Sequence, residues 1–258
     1  MLDQPLIEHL MDKAWPALER SDADGWVLRA SSGVTQRANS VWPRDLSPAT
    51  AASGLAAGVR DAGQWYRRRR LPLIFQVFDD DRSSGLNAVL DGLRFTRQSA
   101  TRILVRGLKG LPAPTVRGVE LSREPTEDWL SLWWSVDGRG GDHELEVAKG
   151  ILSGCPAVYA LVRDDDGGPA AVGRLALVDG WGGIYAMATS PAHRRRGFGT
   201  RVLAALLNEG ARLDVKGFWL LVTEANIGAQ ALYAQAGFGG FGSYLYRQAP
   251  LRRAASGC

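Results

Sequence analysis

Between Ala186 and Gly199 the chain reads Ala-Met-Ala-Thr-Ser-Pro-Ala-His-Arg-Arg-Arg-Gly-Phe-Gly, and few folds accommodate such a segment. The run from Gly183 to Thr189 has the length and composition of a strand, Pro191 stops it, and a helical pattern follows from Thr200 to about Leu213. Arg194-x-x-Gly197-x-Gly199 joins the two. Glycine lets the backbone turn tightly, so that successive N–H groups point at one place. The start of a helix adds unpaired donors and the positive end of its dipole. Together they form an anion site suited to a pyrophosphate, and the flanking arginines supply charge-assisted hydrogen bonds.

A chain of 258 residues makes one large or two ordinary domains, at roughly 100 to 200 residues each. Its 45% hydrophobic composition is enough to build cores. Cys155 and Cys258 are the two cysteines, too few and too far apart for a disulfide framework or a zinc cluster, and a cytoplasmic location fits best. No apolar run approaches the ~18 residues that cross a bilayer, and Asp3 and Glu8 stand where a signal peptide would be basic and then apolar. His9, His143 and His193 have no metal-ligand spacing, so no metal is expected. The net charge of +4 sits wholly in residues 1–110, with 16 Lys plus Arg against 12 Asp plus Glu; residues 111–258 hold 15 of each. Global basicity therefore says little about a partner, and no nucleic-acid or membrane partner is expected. What matters is local: Arg194, Arg195, Arg196 and Arg201 gather at one helix start.

Along the first 110 residues, Gly25–Ala30 reads as a strand and Ser53–Arg69 as a helix with Leu55, Val59, Ala62 and Tyr66 on one face. Leu73–Phe78 reads as a buried strand, Ser84–Gly92 as a helix and Arg102–Arg106 as a strand. Gly107–Pro114 reads as a linker. Then come strand Val116–Leu121, helices Thr126–Ser135 and His143–Leu152, and strand Ala157–Arg163. A turn at Asp164–Gly168 leads into strands Ala170–Val178 and Gly183–Thr189. The helix after the glycine loop, strand Phe218–Val222, helix Gly228–Gln235 and strand Tyr244–Arg247 complete the series. The fold class is α+β, layered, with a mixed and mostly antiparallel sheet. At an offset of 145, Ile74-Phe75-Gln76-Val77 falls on Trp219-Leu220-Leu221-Val222 and Gly92 on Gly237. This is the trace of two tandem copies of one fold: residues 1–110, degenerate, residues 115–248, and a tail at 249–258. The first copy has no glycine-arginine loop; Ser47–Ser53 precedes its helix instead.

The loop at 194–199 resembles motif A of the GNAT superfamily, the GCN5-related N-acetyltransferases. Asn226-x-x-Ala229-x-x-Leu232-Tyr233 followed by Gly237-Phe238 resembles the family's next motif in order and distance. Arg37–Val41 and Phe75–Val77 resemble the N-terminal halves of bacterial tandem GNAT proteins. The resemblance covers about residues 115–248 and implies acetyl-CoA lying in a V-shaped split between the strands that end at Thr189 and Val222. It implies that Met187, Ala188 and Thr189 line the split, with the backbone of Met187 and Thr189 pairing with the pantetheine amides. The N–H groups of Arg195, Arg196, Gly197, Phe198, Gly199 and Thr200, with Arg194 beside them, would wrap the pyrophosphate, and Asn226 would bond the pantetheine arm. Tyr233 would be the general acid for the departing thiolate, a role that fits a phenol of ordinary pKa about 10. The implied reaction is direct attack of a neutral primary amine on the thioester, without an acyl-enzyme.

Glu224, just past a strand bounding the split, is the candidate base, or else a turn cap. Asp137, Asp142, Glu144 and Glu146, balanced by Arg139, either attract a cationic amine or form a solvated face. Gly237-x-Gly239-x-x-Gly242 matches a dinucleotide pattern literally but follows a helix, so it is a turn. Arg67–Arg70 either binds nucleic acid or, the favoured reading, complements a helix end, Cys155 reads as a small buried residue, and Trp133-Trp134 reads as core with a substrate role open. Two other functions compete with the enzyme: a module that binds or senses acyl-CoA without turnover, and a tandem transferase using another acyl donor. The identity of the acceptor, and whether the chain is a monomer or homodimer, stay open.

Overall fold

A computed structural model describes residues 2–47, 51–111, 118–138 and 140–250. Several expectations fall partly or wholly outside them: Arg139, the end of the linker, the start of the strand at Val116, part of Ser47–Ser53, and the tail with Cys258.

By packing, the chain forms two compact units, one of Met1–Pro16 with Arg102–Phe241 and one of Ala17–Thr101 with Gly242–Cys258. Each is discontinuous in sequence, so they do not coincide with the contiguous stretches 1–110 and 115–248.

The first unit begins with a helix that the sequence reading passed over, α1 (Gln4–Ala14). Asp3 caps it by accepting from the Leu6 N–H at 3.0 Å, a proline stands in its first turn, and Ile7, Leu10, Met11 and Ala14 share its buried face. The unit continues with the end of β5 (Thr96–Arg106), β6 (Val119–Ser122), α4 (Glu127–Asp137) and α5 (Asp142–Leu152). Three long strands follow, β7 (Ala157–Arg163), β8 (Pro169–Val178) and β9 (Trp181–Thr189). Helix α6 (Phe198–Arg212), β10 (Phe218–Thr223), α7 (Ile227–Gln235) and the start of β11 (Gly239–Gln248) close it. Its strands lie in the order β5-β10-β9-β8-β7-β6. The β6–β7, β7–β8 and β8–β9 pairs are antiparallel, and the β9–β10 pair is parallel. A parallel pair needs a crossover, and α6 supplies it.

Alternation along β8 decides which helices cover which face. From one face, Val202, Leu203, Leu206 and Leu207 of α6 join Leu175, Ile184, Phe218 and Leu220 in a single apolar core. Each such side chain contributes about 1.5 to 3 kcal/mol on burial. On the other face Arg174 is fully buried. It donates to the carbonyl oxygens of Ala14 (3.0 Å) and Leu152 (2.9 Å), the last residues of α1 and α5, and to the Tyr159 hydroxyl (3.3 Å). Two helix C-termini, each the negative end of a dipole, thus receive one guanidinium. Trp15 stacks on Tyr185 at 5.7 Å beside it. Cys155 is half-buried, its sulfur accepting from Arg174 at 3.1 Å, so it is less enclosed than its expected place as a small buried residue.

In the second unit β1 (Glu19–Ala23), β2 (Trp26–Ala30) and β3 (Trp42–Pro43) form an antiparallel sheet, followed by α2 (Ala52–Arg68), β4 (Ile74–Phe78) and α3 (Ser84–Gly92). β4 pairs with the end of β11 from Tyr244 to Gln248. Trp26, Leu55, Val59, Phe75, Leu86 and Leu90 make its core. Buried Arg29 donates to the Ser40 carbonyl (3.1 Å) and to Gln76 Oε1 (2.7 Å), while Asn39 ties the preceding loop to itself by accepting from Ser31 and Gly33. This accounts for both segments singled out in the N-terminal half. Arg69, in the basic run at the end of α2, pairs with Glu19 and lies 3.5 Å over the Trp65 ring.

The offset of 145 appears in the elements themselves. α2, β4 and α3 shifted by that amount overlie α6, β10 and α7.

Candidate active site

Three features converge around the end of β9. The first is the parting of two strands. β9 and β10 pair at Gly182–Phe218, Gly183–Trp219 and Ile184–Leu220, and their pairing stops there although β9 runs on to Thr189 and β10 to Thr223. The cause lies on the other edge of β9. Val172 of β8 faces Ala188 while Arg174 faces Tyr185, so Ala186 and Met187 together oppose Gly173. This is a β-bulge, and Ala186 takes the positive φ of 50° that it requires. Gly173 cannot be larger: a Cβ there would stand 2.5 Å from Met187 Sδ and 2.7 Å from Val202 Cγ1. Its carbonyl oxygen accepts from Trp129 Nε1 at 3.1 Å. The bulge bends β9 away from β10 and leaves backbone groups around Met187 unpaired by β10.

The second is the loop into α6. The Ser190 N–H bonds to the Ala170 carbonyl, a single 3-10 turn spans Pro191–His193, and Arg195 (φ 65°) and Gly197 (φ 80°) then take left-handed conformations. The helix starts at Phe198, two residues before the expected Thr200, with Gly197 as N-cap and no side-chain cap. Arg201 N–H is bonded to Gly197 O at 3.1 Å, so the donors of Phe198, Gly199 and Thr200 are those a helix start leaves over. Arg194, Arg195 and Arg196 are exposed, and the guanidinium groups of Arg196 and Arg201 each lie 5.4 Å from the buried Phe198 ring. Phe198 thus gives its ring to the core and can offer a ligand only its backbone. Gly199 lies beside both neighbours: a Cβ there would make ordinary contacts with Thr189 Oγ1 at 3.4 Å and Leu232 Cδ2 at 3.8 Å. That contact places the loop, the end of β9 and α7 together.

The third is α7. Asn226 caps it, its Oδ1 accepting from the Ala229 N–H at 3.1 Å, which leaves its amide nitrogen as a donor. Tyr233 is 7% exposed and packs edge-on against Phe238 at 6.1 Å. Burial pushes its phenol up to about 12, so it holds its proton throughout the neutral range. Glu224 lies in the turn after β10 with an exposed side chain; Gln230 Nε2 donates to its carbonyl oxygen at 2.9 Å and fixes its backbone. Gly237, with φ 83°, is the turn between α7 and β11.

Of the acidic group toward the expected acceptor side, Glu144 caps α5 through the Gly141 N–H at 2.8 Å, which holds its carboxyl below the usual range. Glu146 pairs with Lys149. These two serve α5. Trp133 is core, packed against Trp15 and Trp129. Arg174, Trp129 and the pair His193–Asp164 (2.9 Å) support the site without having been foreseen; the only sign in the sequence was an arginine inside the apolar run Ala170–Val178. Among the described residues no three His, Cys, Asp or Glu side chains are grouped to hold a metal ion, and no helix is long and apolar enough to cross a membrane.

A parallel pair parted by a bulge, with a glycine-arginine loop leading into the helix beside it, is the architecture of the GNAT superfamily, and the protein is an acetyltransferase of that class. Within the class, the chain belongs to the family described as probable histone acetyltransferase Rv0428c, C-terminal, whose model matches residues 5–246. It is 25% identical over 252 residues to the uncharacterized N-acetyltransferase YobR of Bacillus subtilis, covering 93% of this chain and 96% of that protein. It is 33% identical over 175 residues to the probable histone acetyltransferase Rv0428c of Mycobacterium tuberculosis, covering 66% of this chain and 53% of the relative, so this chain matches about half of that protein's length. In fold it is similar to a GCN5-related N-acetyltransferase from Kribbella flavida (TM-score 0.71, 16% identity, 95% and 94% of the two chains). It is also similar to a tandem GNAT protein from the clavulanic acid biosynthesis pathway (TM-score 0.64, 14% identity, 96% and 89%).

Proposed function

We propose that the protein transfers the acetyl group of acetyl-CoA to a primary amine by direct attack. The observation that carries this is the convergence at Gly199: an uncapped helix start lies against Thr189, the end of the strand that has parted from its parallel neighbour. An anion bound at the turn 195–200 puts a pantetheine arm along β9, where Met187 and Thr189 offer backbone groups and Ala188 turns its side chain inward. Asn226 can donate its amide N–H to the same arm. Arg194 and its neighbours add charge at the diphosphate.

The chemistry then needs three events. The amine nitrogen, with its lone pair free, adds to the thioester carbon. The tetrahedral intermediate collapses with cleavage of the C–S bond, and the sulfur leaves with the bonding pair. Tyr233 gives that sulfur its proton. A phenol near 12 is a weak acid toward water but a ready donor to a thiolate forming in a dry pocket. Glu224, exposed just past β10, takes the amine's proton directly or through water in this reading.

The acceptor is a primary amine of unspecified size; histone is the word in a relative's name and suggests a protein lysine as the first to try. The likeness to a tandem GNAT and the shared offset of 145 support residues 1–110 as a degenerate copy, and the lack of a glycine-arginine loop there supports its not holding CoA. A panel of amines, peptides and histone tails incubated with acetyl-CoA, followed by free-thiol release, tests the proposal. Acceptor-dependent release is the expected result. Tight CoA binding with no release from any acceptor would favour a sensing module, and release only with a longer acyl-CoA would favour another donor.

A further inference from the structure

The loop that receives the anion carries three adjacent exposed guanidinium groups, Arg194, Arg195 and Arg196, whose mutual repulsion opposes a tight turn when no anion is present. Something must hold it. His193, the residue before them, places Nε2 2.9 Å from Asp164 Oδ2, and each side chain is only 16% exposed. Asp164 is itself fixed: its Oδ1 accepts from the N–H groups of Gly168 (2.8 Å) and Asp166 (3.1 Å) in the turn between β7 and β8. The other ring nitrogen of His193, Nδ1, is buried without a hydrogen-bond partner among the described residues, so within them the ring's polar tie is to Asp164, with Nε2–H assigned as donor. The imidazole packs edge-on against Phe198 at 5.4 Å, and Phe198 is the ring over which Arg196 and Arg201 lie. A hairpin turn, a histidine, the first helical residue and two arginines are thus linked in series.

We propose that the His193–Asp164 contact is a latch that holds the arginine-glycine loop in the shape that receives the donor's pyrophosphate, which makes His193 a positioning residue for donor binding. The proposal rests on the assignment of residues 194–200 to the pyrophosphate. The latch acts by ordering the loop before the ligand arrives, so that binding does not have to supply the ordering. Its loss therefore appears in affinity for CoA. In the sequence, Asp164–Gly168 is legible only as a turn and His193 only as a histidine without metal-ligand spacing.

Calorimetric titration with CoA needs no acceptor and tests this in the intact chain. His193→Ala and Asp164→Asn are each expected to weaken CoA about tenfold, the scale of one charge-assisted hydrogen bond. Asn at 164 keeps the Oδ1 that organises the turn and loses the acceptor facing Nε2. The double variant is expected to bind no worse than either single one, and His193→Gln, whose amide N–H can reach Asp164, to recover most of the loss. Thermal unfolding of all four should stay near that of the parent. Unchanged CoA affinity in the single variants, additive losses in the double one, or a Gln variant no better than Ala would overturn the latch. A parent chain that fails to bind CoA would overturn the assignment of the loop itself, a separate and recognisable result.

Discussion

Trp129 Nε1 donates to the carbonyl oxygen of Gly173 at 3.1 Å. Gly173 faces the two-residue bulge of β9, and the bulge is what separates β9 from β10 beyond Ile184. A tryptophan on α4 thereby satisfies a carbonyl that the ladder gives up so that the split can open.

Trp129→Phe keeps an aromatic side chain but removes the donor and one ring of the indole, leaving the Gly173 oxygen unpaired and a void beside Trp133 and Tyr159. A loss of about 1 to 3 kcal/mol in urea unfolding is expected. Gly173→Ala pushes a methyl into Met187 and Val202 and should cost at least as much by overpacking.

Gly197→Ala puts a side chain on a residue at φ 80°. The left-handed conformation costs roughly 1 to 2 kcal/mol for a non-glycine residue, and relief comes by rotating the turn and scattering its N–H groups. CoA affinity measured by titration should fall about tenfold or more, with a loss of stability no larger than that strain of roughly 1 to 2 kcal/mol.

Arg174 joins the ends of α1 and α5. Arg174→Met removes the shared donor, leaving the Leu152 carbonyl its bond from the Tyr159 hydroxyl (3.0 Å) and the Ala14 carbonyl only the long contact from Cys155 Sγ (3.7 Å), and is expected to cost about 1 to 3 kcal/mol in unfolding free energy. Arg174→Lys should recover little, because one ammonium cannot span both helix ends as the guanidinium fork does.

Glu209 accepts from Arg212 at 2.7 Å and lies 3.6 Å from Arg123, and the hydrogen bond from Arg212 holds its carboxyl below the usual value. The folded chain therefore binds this proton less readily than the unfolded one. The stabilisation is fully present above the ordinary glutamate pKa of about 4.3 and is lost as pH falls through the lower folded value. Glu209→Gln should flatten the acid side of a plot of melting temperature against pH, most visibly below about pH 4.5.

Helices and strands with a clear period were legible in the sequence. Ser84–Gly92 and Ala157–Arg163 coincide with α3 and β7, and α2 and α6 lie within two residues of their expected bounds. Helix α1 is not among the sequence expectations, although Asp3, Pro5 and the spacing of Ile7, Leu10, Met11 and Ala14 all announce it. The short β1 and β3 carry no pattern of their own and exist through their pairing with β2. The turn of the glycine-arginine loop into a helix was legible because its residues are consecutive. The bulge, the Trp129 hydrogen bond and the burial of Arg174 were not, since each depends on register between strands or on contacts 15 to 160 residues apart.

Replacement of Tyr233 by phenylalanine, read by both thiol release and CoA titration, tests the central claim most directly. With an acceptor identified, Tyr233→Phe should keep CoA affinity within about twofold and lower kcat by roughly 10²-fold or more. In the parent, the rate should show no fall with a midpoint near pH 10, because burial holds the phenol's proton to about 12. Unchanged kcat in Tyr233→Phe with unchanged CoA affinity would contradict the assignment of Tyr233 as the acid that releases the thiol.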